Sequence, residues 1–222
     1  MKPIAHIEND LPTKFGVPRQ SGLVEGLEGT IVFEPDYRDP EALRGLEGFS
    51  HVWLLWDFSE AHREGWSPTV RPPRLGGNRR MGVFATRSPF RPNPIGLSSV
   101  RITEIQPSSP RGPLIRVSGA DLMDGTPILD IKPYLPFTDC HPEATGGFTE
   151  ETALQPPLEV RGMEALAARL TEKQAETLRQ ILASDPRPHY QDDPGRTYGI
   201  AFADTDVKFR VEGRTLTVIN SI

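Results

Sequence analysis

A single cysteine, Cys140, stands among 222 residues. That excludes a disulfide within the chain and fits a reducing, cytoplasmic setting. No run of about 18 apolar residues occurs, so no membrane-spanning helix is expected. The opening residues, Met1-Lys2-Pro3-Ile4-Ala5-His6, lack the apolar stretch of a secretory signal. Neither a Gly-x-Gly-x-x-Gly after a strand nor a P-loop is present, which excludes the usual dinucleotide and nucleotide-triphosphate folds. The five histidines, His6, His51, His62, His141 and His189, are scattered, so no metal site is expected. No Ser-His-Asp order or nucleophile elbow appears either. One absence is local: from Gly65 to Thr103 there is no Asp, Glu or Lys, only seven arginines, at 71, 74, 79, 80, 87, 91 and 101.

That stretch carries +7 in a chain of net −5, which leaves −12 for the remainder. A basic island on an acidic protein points to a specific anionic partner. Arginine throughout, rather than lysine, suits bidentate binding of carboxylate or phosphate. The length allows one large domain or a medium one with a small companion. Twenty glycines and 23 prolines imply many turns and a β-rich body. Short strands are expected at 4–9, 29–34, 51–58, 80–86, 97–105, 114–118 and 127–132. The run 51–58 is apolar enough to read as fully buried. The spacing predicts a mainly β protein, with a single-sheet closed β-barrel over residues 1–137. A polar linker is expected at 138–157, then a small α+β domain at 158–222. In that domain Met163, Leu166, Ala167 and Leu170 have helical spacing. Thr171 with Gln174 forms a possible capping box, and Asp185-Pro186 ends the second apolar stripe.

The basic island is also stiff. Prolines at 89, 92 and 94 fix φ and hold the residues before them extended. Arg87, Arg91 and Asn93 are thus displayed with little ordering cost on binding. The plain alternative is a proline-rich turn with solvated arginines.

Phe84-Ala85-Thr86-Arg87-Ser88-Pro89-Phe90-Arg91-Pro92-Asn93-Pro94-Ile95-Gly96 resembles the signature of the TsaA-like (TrmO) family of tRNA methyltransferases. Other segments agree in the family's order: 15–20, 45–51, 121–127 with 130–134, and 185–190. The resemblance implies a β-barrel enzyme that uses S-adenosylmethionine. It also implies a homodimer that methylates the exocyclic N6 of N6-threonylcarbamoyladenosine at position 37 of tRNA. The alternatives are a non-catalytic RNA-binding module, or a methyltransferase with another acceptor.

By the same resemblance, the cofactor site draws on Pro18, Arg19 and Gln20, on Arg87 and Leu97, and on Asp121, Leu122, Met123, Asp124, Gly125 and Thr126. Arg19 is the candidate partner of the methionine carboxylate, and its plain alternative is a solvated loop charge. Asp121 and Asp124 carry the sign that suits a sulfonium, although Asp-Gly is also a common turn pair. Ser59 and Glu60 depart from the family's pattern and are carried only as backbone contacts. Arg91 is the candidate grip on the threonine carboxylate, and Asn93 a contact to the base edge or carbamoyl. Lys132 and Tyr134 are read as phosphate and stacking contacts. Arg187, His189 and Tyr190 lie on a second rigid loop expected to reach tRNA or the partner's site. Asp124, Asp130 and His189 are candidate bases for the N6 proton, with Asn93 beside them at the reacting centre. Trp53, Trp56 and Phe58 read as core.

Overall fold

The computed structural model describes residues 1–151, 156–187, 193 and 195–219. Six antiparallel strands close a barrel: β1 (Ala5–Asn9), β2 (Glu28–Phe33), β3 (His51–Asp57), β6 (Ile95–Gln106), β7 (Leu114–Ser118) and β8 (Pro127–Pro133). Their order around it is β1-β2-β7-β6-β3-β8, returning to β1. The ribbon β4 (Thr69–Val70) and β5 (Met81–Gly82) stands between β3 and β6 in the chain.

Period-two alternation sets the interior. Val52, Leu54 and Trp56 of β3 point inward, as do Ala5 and Ile7 of β1 and Ile115 and Val117 of β7. The expectation of a fully buried 51–58 therefore needs correction. Trp53 and Leu55 are half-buried on the outer face. The Trp53 indole N–H donates to the Asp139 carboxylate at 2.7 Å. The expected strand 80–86 shrinks to β5 and a 3-10 turn, Val83–Ala85. Only Val83 of this stretch reaches a core, so no alternating apolar face extends it.

The antiparallel order has a consequence for function. β1, β3 and β7 end, and β2, β6 and β8 begin, at one end of the barrel. The connections 10–27, 58–94 and 119–126 therefore gather there, and they carry most of the expected site.

The second unit packs helix α3 (Glu172–Ala183; α1, Pro136–Asp139, and α2, Phe148–Glu151, are short) against a four-stranded sheet. That sheet contains β9 (Glu159–Arg161), β10 (Tyr198–Phe202), β11 (Thr205–Glu212) and β12 (Thr215–Ile219), in the order β10-β11-β12-β9. The capping box is present: Thr171 and Gln174 satisfy each other's amides. Leu178, Ile181 and Leu182 form the buried stripe of α3. The helical spacing at 163–170 gives only a 3-10 turn, Met163–Leu166, because Thr171 caps a new helix immediately after it. Leu11, Val24 and Leu27 of the barrel's first connection are buried in this second core. At roughly 1.5–3 kcal/mol per buried aliphatic side chain, they bind that connection firmly to the C-terminal unit. The Thr177 hydroxyl also donates to the Gly26 carbonyl at 2.9 Å.

Gly96 opens β6 directly under the Trp56 indole, and a Cβ there would overlap the ring. Gly96→Ala is expected to cost about 1–3 kcal/mol through overpacking. A lower urea midpoint at unchanged m-value measures it, and an unchanged midpoint would show that the ring yields freely.

Candidate functional site

Three of the gathered connections meet in one cluster. The first contributes Gln20, whose side-chain oxygen accepts a hydrogen bond from the Arg87 guanidinium. The second contributes Arg87 itself. The third contributes Asp121, whose carboxylate accepts from the Ser98 hydroxyl at 2.5 Å. Ser98 is buried and in turn accepts from the Trp56 indole N–H at 2.9 Å. The chain Trp56–Ser98–Asp121 thus runs from the barrel core to its mouth, with Arg87 and Gln20 over it.

Burial pushes the Asp121 carboxyl above the usual range. The Ser98 hydrogen bond, its own backbone amide, the charge of Arg87 and the Ser21 amide oppose that rise. A carboxylate short of solvent and only partly compensated favours a cation beside it. Ser98 did not figure among the expected site residues, yet alternation distinguishes it from its neighbour. Leu97 faces outward on the same strand and is exposed, whereas Ser98 shares the inward face with Gly96 and Val100.

The rest of the 121–126 turn is spent on structure. The Asp124 carboxylate accepts from the Asn9 amide at 2.9 Å, and the Leu122 carbonyl accepts from the Asn9 side chain at 2.8 Å. The amides of Asp124 and Gly125 bond the carbonyls of Leu11 and Ile7, and Thr126 closes on the Met123 carbonyl through both amide and hydroxyl. Gly125 takes φ +74°, which its lack of a side chain allows. Leu122 is fully buried. This turn is a rigid floor that aims Asp121.

Arg19 points away from the cluster. Its guanidinium donates to the carbonyls of Asp185 (3.3 Å) and Arg187 (2.9 Å) in the C-terminal unit. Pro18 beside it is buried. Arg187 is itself buried, and its fork is held by the Asp185 carboxylate at 2.8 and 2.9 Å. His189 and Tyr190 lie outside the described residues. Ser59 and Glu60 form an exposed turn after β3, where Glu60 faces Lys14 of the first connection at 3.7 Å.

Arg91 is half-buried and donates to the Thr86 carbonyl at 3.1 Å, bracing the proline-rich loop. Asn93 is exposed, and its carbonyl accepts from the Ile95 amide at 2.8 Å.

Leu97, Asp130, Lys132 and Tyr134 gather elsewhere, on the outer face of β6, β3 and β8. Leu97 and Asp130 flank Leu55 on either side, and Lys132 flanks Trp53. Lys132 pairs with Asp130 at 2.9 Å. Tyr134 packs on Trp53 with ring centroids 5.5 Å apart. Burial pushes the Tyr134 hydroxyl above its usual pKa, with smaller contributions from Cys140 and Asp139. A shallow cleft of about 390 Å³ runs along this face past Leu97 and Lys132 to Asp139 and His141.

The pairing at the barrel mouth has a pH signature. The raised pKa means that Asp121 opposes folding by an amount that grows from its unfolded-state pKa upward, is complete above the raised pKa, and vanishes only below both. Arg87 offsets this cost only while Asp121 is charged. Arg87→Ala should therefore lower Tm at neutral pH, and the gap to wild type should close as pH falls through the raised pKa. A Tm difference independent of pH would break the link between the two residues.

Two family models match the chain: tRNA-methyltransferase O N-terminal domain over residues 6–140, and TrmO C-terminal domain over residues 155–221. The chain is 42% identical over 215 residues to the tRNA (adenine(37)-N6)-methyltransferase of Escherichia coli (strain K12), covering 94% of this chain and 91% of that protein. It is 51% identical over 166 residues to the protein of the same name from Eikenella corrodens, covering 74% and 92%. A crystal structure of TrmO from Pseudomonas aeruginosa superposes with a TM-score of 0.77 at 37% identity, covering 98% of this chain and 93% of that one. Matched in both halves, the chain belongs to the tRNA-methyltransferase O family.

Proposed function

We propose that this protein is an S-adenosylmethionine-dependent methyltransferase acting on the exocyclic N6 of N6-threonylcarbamoyladenosine at position 37 of tRNA, as a cytoplasmic homodimer. Asp121 carries the reading. It is a largely buried carboxylate, its pKa raised by that burial, set beside Arg87 at the barrel end where three connections converge. Relatives of this chain are named tRNA (adenine(37)-N6)-methyltransferases.

The donor set fits S-adenosylmethionine. Arg87 and Gln20 present a guanidinium and an amide to an amino-acid carboxylate, and Asp121 presents negative charge to a sulfonium. When bound, the donor supplies an electrophilic methyl group on sulfur. The protein's own work is positional, since in-line displacement depends on alignment. Ser98 and Trp56 fix the Asp121 carboxylate, and the 121–126 floor keeps it aimed. Arg19 serves as a tie between the first connection and the C-terminal turn.

The acceptor's threonine carboxylate falls to the proline-rich loop. Among the described residues Arg91 spends one donor on Thr86 and keeps the rest of its fork. Asn93, exposed beside it, suits the carbamoyl or base edge. No strong base is required, because the carbonyl attached to N6 makes its proton more acidic than that of an amine. Asp124 and Asp130 are occupied by Asn9 and Lys132 respectively. The homodimer is supported by exposed apolar side chains, Leu97 on the outer face at 51% and Phe137 on α1 at 87%, which a second copy would cover.

Three measurements test the reading. Calorimetry with S-adenosylmethionine should show one site per chain, and methylation of tRNA should require the threonylcarbamoyl group. No detectable cofactor binding would leave the RNA-binding module as the better reading. Equal methylation of unmodified adenosine would remove the carboxylate grip. Sedimentation of the same preparation should report two chains.

A further inference from the structure

Two aromatic rings stand in the open at the base of the arginine-rich hairpin. Trp66 is 51% exposed and Phe84 is 72% exposed. They face each other with ring centroids 5.9 Å apart and planes tilted by 32°. Their exposure does not come from slack backbone. The Val83 amide bonds the Pro68 carbonyl at 2.9 Å, directly between the two residues and the β4–β5 ribbon. Val83 is buried and pins the turn, while its neighbour Phe84 is turned outward. Phe90, a third exposed ring nearby, is covered by the Arg63 guanidinium 4.0 Å from its centroid. Among the described residues no cation lies over Trp66 or Phe84.

The ribbon between these rings carries the exposed Arg71, Arg79 and Arg80, and no acidic residue occurs from Gly65 to Thr103. Open ring faces on a stretch of chain that carries arginine and no acidic residue suit a ligand that offers both a flat π surface and negative charge. An unpaired nucleotide has both, whereas a duplex keeps its base faces stacked on one another. A two-fold protein contact centred on this pair would set one arginine hairpin against another.

We propose that Trp66 and Phe84 form a stacking platform for an unpaired base of the RNA substrate, with the hairpin arginines on the adjoining phosphates. The inference rests on the tRNA reading above and adds a subsite to it. The rings supply loop selectivity, and the arginines supply affinity that is indifferent to sequence.

The test is fluorescence anisotropy at one fixed salt concentration, with a labelled stem–loop RNA and a duplex of equal length. The Trp66→Ala/Phe84→Ala double variant should bind the stem–loop roughly 5- to 100-fold more weakly, with duplex affinity unchanged. Trp66→Phe should retain most of the affinity, since it keeps a π face. The slope of log affinity against log salt should stay the same, because no phosphate contact is removed. Unchanged S-adenosylmethionine affinity and unchanged sedimentation show that the fold and the assembly are intact. The platform is overturned if the double variant binds the stem–loop as wild type does, if stem–loop and duplex lose affinity equally, or if the variant falls apart to single chains. A wild-type protein that binds neither RNA would overturn the tRNA reading and the platform with it. Unchanged stem–loop binding by the double variant overturns the platform alone.

Discussion

Asp121 sits at the mouth of a barrel whose interior is mostly apolar. Its carboxylate is held by the Ser98 hydroxyl, which is held by the Trp56 indole, and Arg87 supplies the nearest opposing charge. Burial raises its pKa despite these partners, so the site carries an electrostatic debt in the folded state. Such incompletely compensated groups are characteristic of binding sites, because a ligand of the right sign completes them. Much of the surrounding architecture can be understood as what keeps this carboxylate in place. Gly96 makes room for Trp56, the 121–126 turn is cross-bonded to β1, and Gln20 orients Arg87.

The two units are joined through the same neighbourhood. Leu11, Val24 and Leu27 leave the barrel to enter the second core, and Arg19 reaches the carbonyls of Asp185 and Arg187. Asp185 takes φ +53°, an uncommon backbone for a residue with a side chain. Its bidentate bond to Arg187 holds that turn. The connection carrying Gln20 is therefore anchored on both sides, barrel and C-terminal unit. The C-terminal unit thereby bears on the geometry of the Gln20, Arg87 and Asp121 cluster without contributing a described side chain to it.

Much of the barrel was legible because alternation and turn residues are local signals. β7 matches its expected bounds 114–118, and the capping box at Thr171 and Gln174 is present as read. The convergence of Gln20, Arg87 and Asp121 was anticipated from their family motifs rather than from spacing. What escaped the sequence was of longer range. The bonds of Arg19 to a turn 166 residues away could not be read from its local motif. Arg187, expected to reach tRNA or the partner's site, is buried against Asp185, whose left-handed backbone no local pattern announces. Ser98 could have been found, since it shares a face with Val100 and opposes the strand of Trp56, but a lone serine carries no motif. Leu97 and Asp130 lie on the outer face by the same alternation that turns Ser98 inward, and only strand pairing brings the two beside each other across Leu55. Trp66 carries no motif, and the exposure of an aromatic ring cannot be read from a residue's identity.

Asp121 is proposed to recognise positive charge. S-adenosylmethionine and S-adenosylhomocysteine differ at sulfur, cationic in the first and neutral in the second, and so provide the most direct measurement. Their dissociation constants should be compared on wild type and on Asp121→Asn by calorimetry at neutral pH. The account predicts that the substitution weakens the cationic donor selectively, so that the ratio of the two constants shifts toward the neutral product. An unchanged ratio, with both ligands bound as tightly as before or weakened alike, would contradict it.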